Sequence, residues 1–247
     1  EEIVEALESS YSLPDSALPA GYYCDSTSTR DEARAGDGRR YNTFAMSEFE
    51  LYGTYSDLQS FLENLLSHLG FRKISYIEYE AACSYLGVTI IDDKEEKQLC
   101  EDLSSVVLLG KFPKRTDPYW NMKYSGQGDL YNKIDVLIHG VETMGTAERS
   151  CDRNQMRKDF YTQDEGKYAE RMFSVFGKER VEHELEKFLG HTFVPRFGGG
   201  IGLQRLIEGM QKEGLDPKHG GSLLTPQNFL NEVTSVEFKP QEYRNML

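Results

Sequence analysis

Gly198-Gly199-Gly200-Ile201-Gly202-Leu203-Gln204-Arg205 is the stretch on which the reading of this chain turns. Glycines at 198, 200 and 202 let a backbone pass flat against a planar ligand where any Cβ would collide. Phe193 to Phe197 reads as the strand leading into the run, and Leu203 to Lys212 as the helix that follows it. Arg205 then stands in the opening turn of that helix, able to meet a phosphate or stack on a base. Glycine-rich connections between a strand and a helix are common, so a second signal is needed.

Far upstream lies an arginine block: Arg30-Asp31-Glu32, a polar loop from Ala33 to Gly38, Arg39-Arg40-Tyr41-Asn42-Thr43-Phe44, then Glu48-Phe49-Glu50. Ala-Gly-Asp-Gly is turn chemistry, which predicts two antiparallel strands joined at this loop. Period-two alternation places Glu48 and Glu50 on one face of the second strand. Arginines at both ends of the loop, an aromatic ring and two carboxylates would converge on one pocket.

These residues carry a resemblance. Arg30-x-Glu32, the loop, and Arg39-Arg40-x-x-x-Phe44-x-x-x-Glu48-x-Glu50 resemble motif 2 of the class II aminoacyl-tRNA synthetases, and Gly198 to Arg205 resembles their motif 3. Lys111-Phe112-Pro113 with Pro118-Tyr119, and the run from Asp135 through Glu142 and Gly145 to Arg149, resemble the aspartyl and asparaginyl subgroup, which includes stand-alone asparagine synthetases. The likeness extends from about residue 20 to 210 and implies an α+β fold, an antiparallel sheet flanked by helices.

The resemblance also implies roles. Arg30 would clamp the α-phosphate of ATP and the attacking carboxylate, and Arg30 and Arg205 would be the catalytic pair. Glu32 would accept from the adenine amino group, Phe44 would stack on the ring, and Gly200 and Gly202 would floor the nucleotide. Arg40 and Arg205 would hold the β,γ-phosphates or the other adenine face, and Arg39 would be a further phosphate contact. Asp135 and Glu142 would hold Mg²⁺, with Glu142 also at the ATP. Glu48, Glu50 and Arg149 would bind the amino acid. Arginine at 149 suits a carboxylate, and it also suits an amide oxygen, so the choice between aspartate and asparagine stays open.

The chain departs from the family pattern at three points. Glu1 to Leu13, with Pro14 and Pro19, does not match the helix and strand of motif 1. Gln204 stands where glutamate is usual, and Gly145 where serine is common. The expected division is a catalytic domain over 1–221, lacking the motif 1 region, and a C-terminal extension over 222–247. A homodimer is expected only if a motif 1 element lies upstream.

A length of 247 residues accommodates one large domain with a substantial core. No apolar run approaches the roughly 18 residues of a membrane span, which predicts no membrane association. Cys24, Cys83, Cys100 and Cys151 are scattered without zinc spacing, which predicts reduced thiols and a cytoplasmic protein. His139, near the proposed magnesium pair, reads as a structural strand-end histidine. The net charge of −13 disfavours an enzyme that grips tRNA over a wide surface.

Elsewhere, Tyr22 to Cys24, Ser105 to Leu109 and Ile134 to Ile138 read as strands. Asp57 to Leu69, Tyr76 to Leu86 and Asp93 to Asp102 read as helices, and Asp152 to Leu189 as two helices broken near Gly177. Three functions remain open. They are a stand-alone ligase that adenylates aspartate or asparagine, the catalytic domain of a tRNA-charging enzyme, and a non-catalytic regulatory module.

Overall fold

The computed structural model describes residues 21–29 and 42–215. Arg30, Glu32, Arg39, Arg40, the loop from Ala33 to Gly38, the N-terminal segment and everything from 216 onward, including the expected domain boundary at 221, lie outside the described residues.

A 7-stranded sheet has the order β1-β2-β7-β6-β5-β4-β3. Its strands are β1 (Gly21–Thr29), β2 (Thr43–Tyr52), β3 (Ile74–Glu78), β4 (Val106–Pro113), β5 (Leu130–Ile138), β6 (Val141–Glu148) and β7 (Arg196–Gly202). Every pairing is antiparallel except β3 with β4. The helices are α1 (Tyr55–His68), α2 (Tyr79–Leu86), α3 (Asp93–Asp102), α4 (Arg153–Thr162), α5 (Lys167–Phe176), α6 (Lys178–Leu189) and α7 (Leu203–Lys212). The α+β expectation holds, as does the pairing of the strands flanking the arginine block, where Thr29 faces Thr43.

The core follows from alternation. Phe49 and Leu51 on β2, Met144 on β6, Ile134 and Val136 on β5, and Phe197 and Ile201 on β7 point to one face. There they meet Leu58, Phe61, Leu62, Leu65 and Leu66 of α1 and Leu206 and Met210 of α7. β4 is apolar at consecutive positions because both its faces are covered. Val106 and Leu108 belong to this core, whereas Val107 and Leu109 pack with Leu137 against α2 and α3. At the β1, β2, β7 and β6 end, the second face carries instead the polar residues of the site.

Three local readings are corrected. The segment 76–86 begins as strand, because Ile74 to Glu78 pair in parallel with Val106 to Gly110, and the helix starts only at Tyr79. The segment 152–189 holds three helices. An additional break at Gln163–Gly166, where Asp164 and Glu165 take left-handed backbone angles, separates α4 from α5. The glycine run is itself the strand β7 and not a turn after it.

Helix starts are fixed by side chains. Asp92 accepts from Lys94 N at 3.0 Å, and the Asp152 carboxylate accepts from Asn154 N at 2.9 Å and Gln155 N at 3.0 Å. Asp152→Ala is expected to cost about 1 kcal/mol of stability through α4, read as a shift in the urea midpoint. An unchanged midpoint would show that α4 is held by packing alone. The third apolar cluster, in which Met156 and Phe160 of α4 meet Leu185 of α6 with Trp120 packed against them, would supply it.

Candidate active site

Cross-strand register builds the site as rows on one face. The first row runs Cys24, Glu48, Gly200, Gly145, Asp135, Leu109 across six strands. Its neighbour runs Tyr22, Glu50, Gly198, Ala147, Lys133. Directly paired residues share a face, so Glu48 and Glu50 overlook a strip of glycine and alanine with Asp135 and Lys133 beyond it. The same-face expectation for Glu48 and Glu50 holds.

Asp135 and Glu142 come together through a β-bulge. β5 and β6 are joined by His139-Gly140, both with positive φ, as a two-residue hairpin demands. Counting back from Gly145, strict alternation would turn Glu142 to the opposite face from Asp135. The register shifts between Val136 and Leu137, so that Leu137 faces Glu142 and Thr143 is the extra residue. Glu142 is thereby returned to the face of Asp135. Where a Cβ of residue 145 would stand, Glu142 Oε1 is 3.0 Å and Asp135 Oδ1 3.7 Å away. The glycine at 145 leaves that space open.

This pair fits the magnesium implied by the resemblance. Asp135 is 7% exposed, and its Oδ1 is buried without a hydrogen-bond partner, aimed into the gap beside Glu142. Burial pushes the Asp135 carboxyl up to about 7; Lys133 opposes the rise and Glu142 adds to it. Lys133 Nζ donates to the other oxygen, Oδ2, and lies over the Phe112 ring. No group of three or more His, Cys, Asp or Glu suited to a metal exists among the described residues. Two carboxylates complemented by substrate oxygens are the habit of Mg²⁺.

Arg205 is half-buried, and its Nη1 donates to the Glu142 carbonyl oxygen at 2.7 Å, which ties the start of α7 to the carboxylate pair. Phe44 is half-buried on β2. Ser26 Oγ donates to Glu48 Oε2 at 2.8 Å. At the other end of the glycine strip, Arg149 Nε donates to Glu50 Oε1 at 2.7 Å, so two residues assigned separately to the amino acid are partners. His139 is structural, as expected: its amide donates to Ser105 O at 2.8 Å and its Nε2 lies 2.9 Å from Glu213. All four cysteines are free thiols.

The glycines divide the work among themselves. A Cβ at Gly198 would overlap the Glu50 carboxylate, and one at Gly199 would overlap the Gly145 carbonyl. At Gly200 the obstacle is only the methyl end of Met46, and at Gly202 the nearest atom is 3.5 Å away. Gly202, and Gly200 once the Met46 methyl moves, are thus the positions with open space, while Gly198 accommodates Glu50. Two residues beside the candidate site went unread. Lys133 shares a face with Asp135 by simple alternation, and Arg196, although inside the strand read over Phe193 to Phe197, was given no role there.

The family model for the class II tRNA synthetases (D, K and N) matches residues 21–214. Among solved structures, asparaginyl-tRNA synthetase from Pyrococcus horikoshii complexed with asparaginyl-adenylate is 19% identical with a TM-score of 0.61, covering 82% of this chain and 50% of its own. Asparaginyl-tRNA synthetase from Entamoeba histolytica in complex with asparaginyl-adenylate is 19% identical at 0.58, covering 82% and 51%. Aspartyl-tRNA synthetase from the same organism is 17% identical at 0.56, covering 85% and 53%. The chain spans about half the length of these structures, and the likeness is one of fold. No curated protein sequence matches the chain. Over residues 21–214, the chain belongs to the class II tRNA synthetases of the D, K and N group.

Proposed function

We propose that this protein is an ATP-dependent, AMP-forming ligase that adenylates aspartate or asparagine, acting as a stand-alone enzyme of the asparagine-synthetase kind. The observation that carries the reading is the side-chain-free strip of β7. It has Arg205, Asp135 and Glu142 at one end and the Arg149–Glu50 pair at the other. From Gly198 to Gly202 it extends about 13 Å at roughly 3.3 Å per residue, with the Glu50 carboxylate seated at Gly198 and the methyl end of Met46 over Gly200.

In the reaction a carboxylate oxygen of the amino acid bonds to the α-phosphorus. The bond from that phosphorus to the bridging oxygen breaks, and pyrophosphate leaves with the electron pair. Positioning and charge neutralisation supply the rate. Arg149 and Glu50 orient the amino acid, Gly200 and Gly202 seat the nucleotide, and Arg205 meets phosphate oxygens. Arg30, with Glu32, Arg39, Arg40 and Phe44, is assigned by the resemblance to the α-phosphate and the adenine. Asp135 and Glu142 would hold Mg²⁺, whose charge offsets that of the phosphates. Asp135→Asn and Glu142→Gln are expected to raise the Mg²⁺ concentration for half-maximal activity about tenfold or more; an unchanged titration would remove them from the metal site.

A net charge of −13 supports a small acceptor such as ammonia over tRNA. The reading is tested by amino-acid-dependent exchange of pyrophosphate into ATP without tRNA, followed by product formation with ammonium and with total tRNA. Exchange with no amino acid would overturn adenylation. Product with tRNA alone would favour the charging reaction.

A further inference from the structure

Lys133 stands outside the run from Asp135 to Arg149 that carries the likeness, yet its Nζ donates to Asp135 Oδ2. Alternation along β5 puts both residues on the face of the site. The same ammonium lies 3.7 Å from the centroid of the Phe112 ring, and the side chain is 18% exposed. A lysine held by a carboxylate alone swings readily into water. One that also lies on an aromatic face, largely screened from solvent, keeps its place.

The two oxygens of Asp135 are therefore unequal. Oδ2 carries the ammonium, whereas Oδ1 is buried without a hydrogen-bond partner and faces the space over Gly145, where Glu142 Oε1 also stands. The further charges of this face are engaged elsewhere. Arg205 Nη1 is on the Glu142 carbonyl oxygen, Arg149 is paired with Glu50, and Glu48 accepts from Ser26. Glu48 lies in the same row as Asp135 but across Gly200 and Gly145, about 14 Å away between backbones at roughly 4.8 Å per strand.

A cation over Gly145 thus meets one oxygen of Asp135. To sit astride both, it would have to approach Oδ2 against the Lys133 ammonium, a like charge at contact distance in a poorly solvated place. That restriction bears unequally on divalent ions. Mg²⁺ takes about six ligands at 2.0–2.1 Å, keeps several waters and is bound through one or two carboxylates. Ca²⁺ takes about six to eight oxygens at 2.3–2.6 Å and accepts carboxylates that offer both oxygens.

We infer that Lys133 is a positioning residue: it leaves Asp135 one oxygen for metal and so sets the preference of the site for Mg²⁺ over Ca²⁺. That Asp135 and Glu142 bind metal at all rests on the adenylation reading.

The test is displacement of Mn²⁺ from the whole chain by Mg²⁺ and by Ca²⁺, without nucleotide, followed by the electron paramagnetic resonance of free Mn²⁺. The parent is expected to bind Mg²⁺ at least as tightly as Ca²⁺, and Asp135→Asn to release the Mn²⁺. Lys133→Met should tighten both ions, since a repelling charge is lost, and shift their ratio about tenfold toward Ca²⁺. Lys133→Arg should keep the parent ratio. Protonation of Asp135 weakens both ions alike and cancels in the ratio, and a merely structural Lys133 would leave the ratio unmoved. No bound Mn²⁺ in the parent, Mn²⁺ retained by Asp135→Asn, a parent that favours Ca²⁺, an unchanged ratio in Lys133→Met, or Lys133→Arg behaving as Lys133→Met would overturn the inference. If Lys133→Met fails to fold, the parent ratio and the same shift in Lys133→Ala decide. Pyrophosphate exchange is measured separately. The expected metal ratios without exchange leave the role of Lys133 standing and remove adenylation. Exchange with an unchanged ratio does the reverse.

Discussion

Arg205→Ala is expected to lower amino-acid-dependent pyrophosphate exchange by about 10²–10³-fold or more, with the thermal midpoint close to that of the parent. The guanidinium is half-buried, and its bond to the Glu142 carbonyl oxygen fixes it beside the two carboxylates proposed for magnesium. A cation held there in advance does not reorganise when charge builds on the phosphates, and this preorganisation accounts for the size of the effect. Arg205→Lys keeps the charge but loses the planar fork, and partial recovery is expected. Near-normal exchange in the alanine variant would remove Arg205 from the site.

Gly199→Val should be the most damaging single change to the fold, at about 3 kcal/mol or more. A Cβ there would overlap the Gly145 carbonyl and stand 2.8 Å from Thr146 Cα, both backbone atoms of the paired strand β6, which cannot move without breaking the ladder. Gly200→Ala makes the informative contrast. Only the methyl end of Met46 must shift, so stability should change by about 1 kcal/mol or less, while the proposed nucleotide floor is filled and exchange is expected to fall. Urea midpoints read the first, and exchange rates the second. A Gly199→Val protein as stable as its parent would contradict the β6–β7 register.

The sequence made some of this legible, and the reasons differ by residue. Helices α1, α3 and α7 could be read because their apolar or capping residues recur at helical spacing. Glu48 and Glu50 could be placed on one face because β2 alternates without interruption. Asp135 and Glu142 could not be paired by counting, since the extra residue Thr143 reverses the alternation; only the resemblance joined them. The glycine run read as a turn because glycine carries no strand propensity of its own. Its place between β2 and β6 is set by tertiary pairing. The break at Gln163–Gly166 was missed because two non-glycine residues in left-handed conformation leave no mark in composition.

The order of strands has a consequence for how this chain folds. β4, β5 and β6 follow one another, and β3 reaches β4 through only two short helices, so that half of the sheet closes small loops. β2 must find β7 across about 150 residues, where closure entropy is greater and pairing slower. The topology predicts that amides of β4 to β6 gain protection in pulse-labelled hydrogen exchange before those of β2 and β7. Simultaneous protection would contradict it. The Glu50–Arg149 contact belongs to that late closure, so the candidate pocket is the last part of the sheet to exist, and mutations that slow the docking of β2 would reduce the yield of protein with a complete pocket before they alter its helix content.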